Sequence, residues 1–144
     1  MDLRKAVLVL AVIVLVLASP FIVAVTGLSY YVEDYALADP DSGFREWTAR
    51  KLLFAYLLVL NHRKRMEFAK AYIETFDEEA LTYDKTRYKK VFWIYADECT
   101  HVLRQGKRGI GYYRYAEAFP DDRKYEQAMN LAEHYGYRDA LGDE

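Results

Sequence analysis

The sequence predicts an all-α protein: one N-terminal transmembrane helix followed by a small helical-hairpin domain of about five helices. Three observations predict it. Residues 6–26 form an apolar run without a single charge. Beyond Gly43, apolar residues recur at the spacing of one helix face in successive segments. No segment alternates apolar and polar residues with the period of two that a half-buried strand needs.

Composition supports the same class. The chain has 144 residues, 53% apolar and 29% charged, which excludes a disordered chain and suits one modest domain beyond a membrane segment. Seven Gly and three Pro are too few for a turn-dense β-sandwich. The formal net charge of −2 provides no general basic field for nucleic acid. Cys99 is the one cysteine, so an intramolecular disulfide, a Cys-based metal cluster and a c-type haem site are excluded. As a free cysteine it is expected in the core, as a small apolar side chain.

Residues 1–5 are assigned to a cytoplasmic tail and residues 6–27 to the membrane helix. At about 1.5 Å per residue, some twenty apolar residues cross a hydrocarbon core of roughly 30 Å. Pro20 lies inside the run and is expected to bend or loosen the helix. A cleavable signal peptide is the rival reading, with Arg4 and Lys5 as its basic start. The run, however, is longer than such a segment needs. Arg4 and Lys5 precede the span, whereas Glu33, Asp34, Asp39 and Asp41 follow it. The positive-inside rule then leaves the N-terminus cytoplasmic and carries the C-terminal domain across an inner membrane to the periplasmic side. Tyr30, Tyr31 and Tyr35 fit an aromatic belt at the membrane–water boundary, next to a juxtamembrane linker over 28–43.

Asp39-Pro40-Asp41-Ser42-Gly43 is the strongest break in the chain, and Asp41 or Ser42 can cap the helix after it. The helical-repeat-like domain occupies 44–136, ahead of a C-terminal tail at 137–144. Its helices are expected over 44–62, 64–76, 84–104, 107–118 and 123–135, with Gly136 closing the last. The first carries an apolar stripe of Phe44, Trp47, Ala49, Leu52, Leu53, Tyr56, Leu57 and Leu60. The third carries Val91, Phe92, Tyr95, Ala96, Cys99, Val102 and Leu103. Residues 59–79 and 102–122 echo one another at an offset of 43: Val59/Val102, Leu60/Leu103, Lys64/Lys107, Arg65/Arg108, Tyr72/Tyr115, Glu74/Glu117 and Phe76/Phe119 coincide. Two stacked helical hairpins would produce such an echo.

Over about 45–136 the chain resembles the tetratricopeptide-repeat class, and more loosely the helical-repeat domains of bacterial envelope proteins. Tyr115-Ala116-Glu117-Ala118-Phe119-Pro120-Asp121-Asp122 looks like the end of a repeat's second helix and its proline turn. With Pro120 as the last repeat position, Phe92 and Ala96 fall where a large and a small residue belong. Arg108 and Tyr115 stand where small residues are usual and Cys99 where an aromatic is, and the offset of 43 exceeds the usual repeat of about 34 residues. The resemblance implies protein or peptide binding and identifies no binding residues.

Candidate chemistry is sparse. Glu98 and His101 have the Glu-x-x-His spacing of di-iron bundles, but no second such motif accompanies them. They are the weak metal candidates, with a polar helix face as the simpler reading. His62 and His134 are placed near helix C-termini, where a cation is favoured. Gly106-Lys107-Arg108-Gly109-Ile110-Gly111 is neither a Walker loop nor a dinucleotide fingerprint. Serines stand only at 19, 29 and 42, and none sits in a nucleophile elbow. No catalytic residue, cofactor or small-molecule substrate is therefore expected. Arg63, Lys64 and Arg65 could face lipid headgroups or an acidic partner, and Tyr112, Tyr113 and Tyr115 could mark a docking face. The expected function is a non-catalytic accessory or scaffold subunit that docks on larger integral-membrane subunits in the bilayer. The alternative is a stand-alone tethered module that binds peptides or client proteins.

Overall fold

The computed structural model describes residues 2–39, 43–76 and 85–137. Among them are α1 (Leu3–Val25), α2 (Ser29–Leu37), α3 (Gly43–Leu58), α4 (His62–Thr75), α5 (Lys85–Val102), α6 (Ile110–Ala118) and α7 (Tyr125–His134), and no strand. The protein is all-α, and the five helices expected over 44–136 correspond to α3–α7. The proposed caps Asp41 and Ser42, the predicted helix start at Asp84 and residues 138–144 lie outside the described residues.

The chain divides into two compact units, Met1–Asn61 and His62–Glu144. The sequence places the main boundary near Gly43. The structure moves it to Asn61, because α3 packs against α1 and α2. The segment read as a juxtamembrane linker contains α2. Nothing from Ser29 to Leu37 breaks a helix, and Ser29 and Ala36 are buried. The Tyr56 hydroxyl on α3 donates to Glu33 Oε1 on α2, across 23 residues of sequence.

In the first unit, α1 is long and apolar enough to cross a membrane. Asp2 caps it by accepting from the Arg4 N–H at 3.4 Å. Pro20 has no N–H to give to the Val16 carbonyl four residues back. The Ser19 hydroxyl donates to that same carbonyl at 2.8 Å, so the acceptor left by the proline keeps a partner. Ala24 is buried near the end of α1. On α3, Ala49, Leu52, Leu53 and Tyr56 are buried as the periodicity predicts, whereas Phe44 and Trp47, and Leu60 beyond the end of α3, are exposed. Residues 43–58 use a narrower stripe that includes Ala55 and Glu46; Glu46 accepts an ion pair from Arg50 at 3.0 Å.

In the second unit the described helices pack in order: α4 on α5, α5 on α6 and α6 on α7. The core is aromatic. The Phe92 ring meets Tyr88, Tyr95, Tyr115 and Phe119 edge-on at 5.7–6.2 Å between centroids. Tyr72 and Phe76 are buried like Tyr115 and Phe119, their counterparts in the 43-residue echo. The α3–α4 pair falls across the unit boundary, so the packed hairpins are those of α4–α7. Gly111 permits a close approach of α5 and α6: a Cβ there would lie 2.5 Å from the Ala96 Cα. Gly136, at φ +82°, closes α7 as expected.

Candidate functional site

The Glu98 carboxylate is buried, at 1% exposure, and belongs to a charge cluster between α4 and α5. Its Oε1 accepts from Arg65 Nη1 at 2.5 Å, and its Oε2 pairs with His62 Nδ1 at 2.7 Å. The exposed His101 ring stacks on His62 at 4.9 Å instead of facing Glu98. Both carboxylate oxygens thus have partners, and among the described residues no group of three or more His, Cys, Asp or Glu is arranged to hold a metal. His62 is the first residue of α4, not near a helix C-terminus as read from sequence; its partner is the buried carboxylate.

The docking candidates separate. Tyr112 and Tyr115 are 4% and 2% exposed, so both rings are largely core and do not form an open tyrosine face. Their hydroxyls donate to Asp97 at 3.2 Å and Asp122 at 3.1 Å. Tyr113 is partly exposed and stacks on Tyr137 at 4.2 Å. In the basic run, Arg63 is exposed and Lys64 partly so, but Arg65 turns inward to Glu98 and keeps only 12% of its side chain exposed. Cys99 is fully buried, and desolvation pushes its thiol up to about 11. Burial likewise pushes the neighbouring Tyr95 up to about 12.

Of the residues assigned to the membrane interface, Arg4 and Lys5 are exposed in the first turn of α1. Tyr30 and Tyr31 are exposed on α2. Tyr35 lies edge-on to Phe44 at 6.2 Å, Phe44 stacks on Trp47 at 5.7 Å, and the Arg45 guanidinium covers the Tyr35 ring at 4.7 Å. Aromatic rings next to basic groups suit a headgroup region.

One concave feature of the second unit is absent from the sequence reading. A groove of about 500 Å³ runs between α5 and the turn from α6 to α7. Trp93 and Tyr115 line its floor, and Lys89, Lys90, Arg123 and Lys124 surround it. The Lys124 ammonium sits 4.2 Å from the Trp93 ring centre, and Trp93 meets Tyr115 edge-on at 5.0 Å. Asp122 is the one acid among the lining residues. Its carboxylate is fully engaged by Lys89, the Tyr115 hydroxyl and the Lys124 N–H at 2.9 Å. The Lys89 hydrogen bond, first among these, holds Asp122 down at about 2. Among the described residues no carboxylate forms an ion pair with Lys90, Arg123 or Lys124. A chain of net charge −2 thus presents a groove whose lining carries +3. The signal was present in the Lys89-Lys90 pair one turn before Trp93, but Arg123-Lys124 joins it only through the fold.

No known protein family, curated protein sequence or solved structure matches the chain.

Proposed function

We propose that this chain is a single-pass, non-catalytic accessory or scaffold subunit of a larger membrane protein complex. In this reading α1 spans the inner membrane with the N-terminus cytoplasmic, and the second unit docks on larger integral-membrane subunits from the periplasmic side. The observation that carries it is the pairing of an apolar, membrane-length helix with a helical unit that offers an open, positively charged aromatic groove. Arg4 and Lys5 before the span and Glu33, Asp34 and Asp39 after it support the orientation.

A second reading, a stand-alone tethered module that captures peptides, has its own support. The second unit packs helix upon successive helix, as repeat-type peptide binders do. Purification of the tagged chain from its native membrane in mild detergent, with sizing and mass spectrometry, separates the two. Larger membrane subunits at fixed stoichiometry are the expected result. A lone monomer or small homo-oligomer overturns the subunit reading and leaves the tethered module.

A further inference from the structure

We infer that the groove between α5 and the α6–α7 turn binds an acidic peptide segment that also carries apolar side chains. The inference rests on the reading of the second unit as a docking module, and it adds the site and the chemistry of what docks there.

Charge complementarity identifies the occupant. Lys90 and Trp93 lie on α5, while Arg123 and Lys124 lie on the facing turn, so cations flank the groove on both sides. The internal acid is already neutralised: Lys89 and Tyr115 hold Asp122, and Lys124 uses only its backbone N–H there. The Lys124 ammonium rests on the Trp93 face, free to meet an incoming carboxylate while the ring offers apolar contact. The floor is predominantly aromatic and aliphatic, with Ile94 beside Trp93. A lipid headgroup has no apolar portion to set against that floor. An extended segment alternating acids with Leu or Phe fills both the charged walls and the floor. The volume of about 500 Å³ accommodates a few side chains.

The test uses the full chain in phosphatidylcholine nanodiscs and a fluorescein-labelled peptide of Glu, Asp, Leu and Phe. Control peptides replace the acids by Lys, or Leu and Phe by Ser. Glycerophosphoglycerol, the free headgroup of an anionic lipid, is the competitor. The acidic apolar peptide is expected to bind, with affinity falling as salt rises. Both control peptides are expected to bind more weakly. Reversal of Lys90 and Lys124 to Glu is expected to weaken binding about tenfold or more. Lys107→Glu, outside the groove, should leave binding unchanged. If the double reversal fails to fold, Lys90→Gln and Lys124→Gln with an unchanged circular dichroism spectrum carry the test. In a Trp47→Phe background Trp93 is the sole tryptophan, and its emission should shift on binding. Equal binding of the Lys peptide, indifference to the groove variants, or displacement by glycerophosphoglycerol overturns the inference. Groove-dependent binding without co-purifying subunits removes the subunit reading and keeps the site. Co-purification that survives the double reversal, with no peptide bound, removes the site and keeps the subunit reading.

Discussion

Arg65 on α4 and Glu98 on α5 form a buried ion pair, Nη1 to Oε1 at 2.5 Å, between residues 33 apart in the chain. The carboxylate is out of reach of water, and Arg65 is itself 12% exposed. Removing one partner of such a pair strands the other charge. Arg65→Ala should therefore destabilise the second unit by about 3–5 kcal/mol, more than any surface arginine substitution. Arg65→Met with Glu98→Leu removes both charges and should recover most of that loss. Thermal unfolding followed by circular dichroism reads both. A single mutant as stable as the parent would show that the pair does not hold α4 to α5.

Asp122 predicts an acid-sensitive contribution to stability. Its folded value is lowered from 3.8 to about 2, first by Lys89 and then by the Lys124 N–H. A lowered carboxylate contributes fully above its unfolded value and loses that contribution as pH falls through the folded one. The parent chain should thus exceed Asp122→Asn in stability at neutral pH, and the gap should close between about pH 4 and pH 2. Urea unfolding across this range checks it; parallel pH profiles for the two proteins would remove Asp122 from the account.

The helices of α3–α7 were legible because each repeats apolar residues at 3.6-residue spacing, and all but α3 are followed by a Gly, Pro or Asp signal. α2 was not, because Tyr30, Tyr31 and Tyr35 already had an explanation as an aromatic belt and Asp39-Pro40 suggested a linker. What makes α2 a helix in place is the Tyr56–Glu33 hydrogen bond and its packing on α3, both distant in sequence. The site followed the same rule. Glu98 and His101 stood out by spacing on one helix, but the partners of Glu98 are His62 and Arg65 on another. The groove joins Lys90 and Trp93 to Arg123 and Lys124 by tertiary packing, and no local pattern encodes that.

Leu60 identifies a strained helix end. The Asn61 N–H bonds to the Tyr56 carbonyl and the Leu60 N–H to the Leu57 carbonyl, the two bonds of a Schellman motif. Leu60 thereby takes the left-handed position, at φ +55°, while 74% exposed. Glycine adopts that conformation without the Cβ penalty, and an exposed leucine gives up little packing. Leu60→Gly should raise stability by about 1 kcal/mol. Chemical denaturation measures it, and a loss of stability would mean that the leucine side chain supports the fold.

Gly111 should tolerate no side chain. A Cβ would fall 2.5 Å from the Ala96 Cα and 3.2 Å from the Cys99 Sγ, and the backbone of α5 cannot yield like a flexible side-chain end. Gly111→Ala should cost about 1–3 kcal/mol through overpacking, even though alanine is the better helix former. Gly27→Ala, which meets nothing within 4 Å, is the matched control and should be near neutral. Equal stability of the two variants would mean that α5 and α6 separate without penalty.

Cys99 makes the orientation of α1 measurable. Its side chain is fully buried and desolvation pushes the thiol up to about 11, so at neutral pH it is both shielded and protonated. A maleimide should leave Cys99 unmodified in the native chain and modify it on unfolding in denaturant. With the native thiol silent, one introduced cysteine reports one location. Glu117→Cys places it on an exposed position of α6, and Asp2→Cys places it ahead of the span. If the N-terminus is cytoplasmic, a membrane-impermeant maleimide should label Cys at 117 in cells whose outer membrane has been opened, and Cys at 2 only after lysis. The reverse pattern would invert the proposed topology and place the basic groove, with its acidic partner, in the cytoplasm. Rapid native labelling of Cys99 itself would show that the packing between Gly111 and Cys99 opens on the timescale of the reaction.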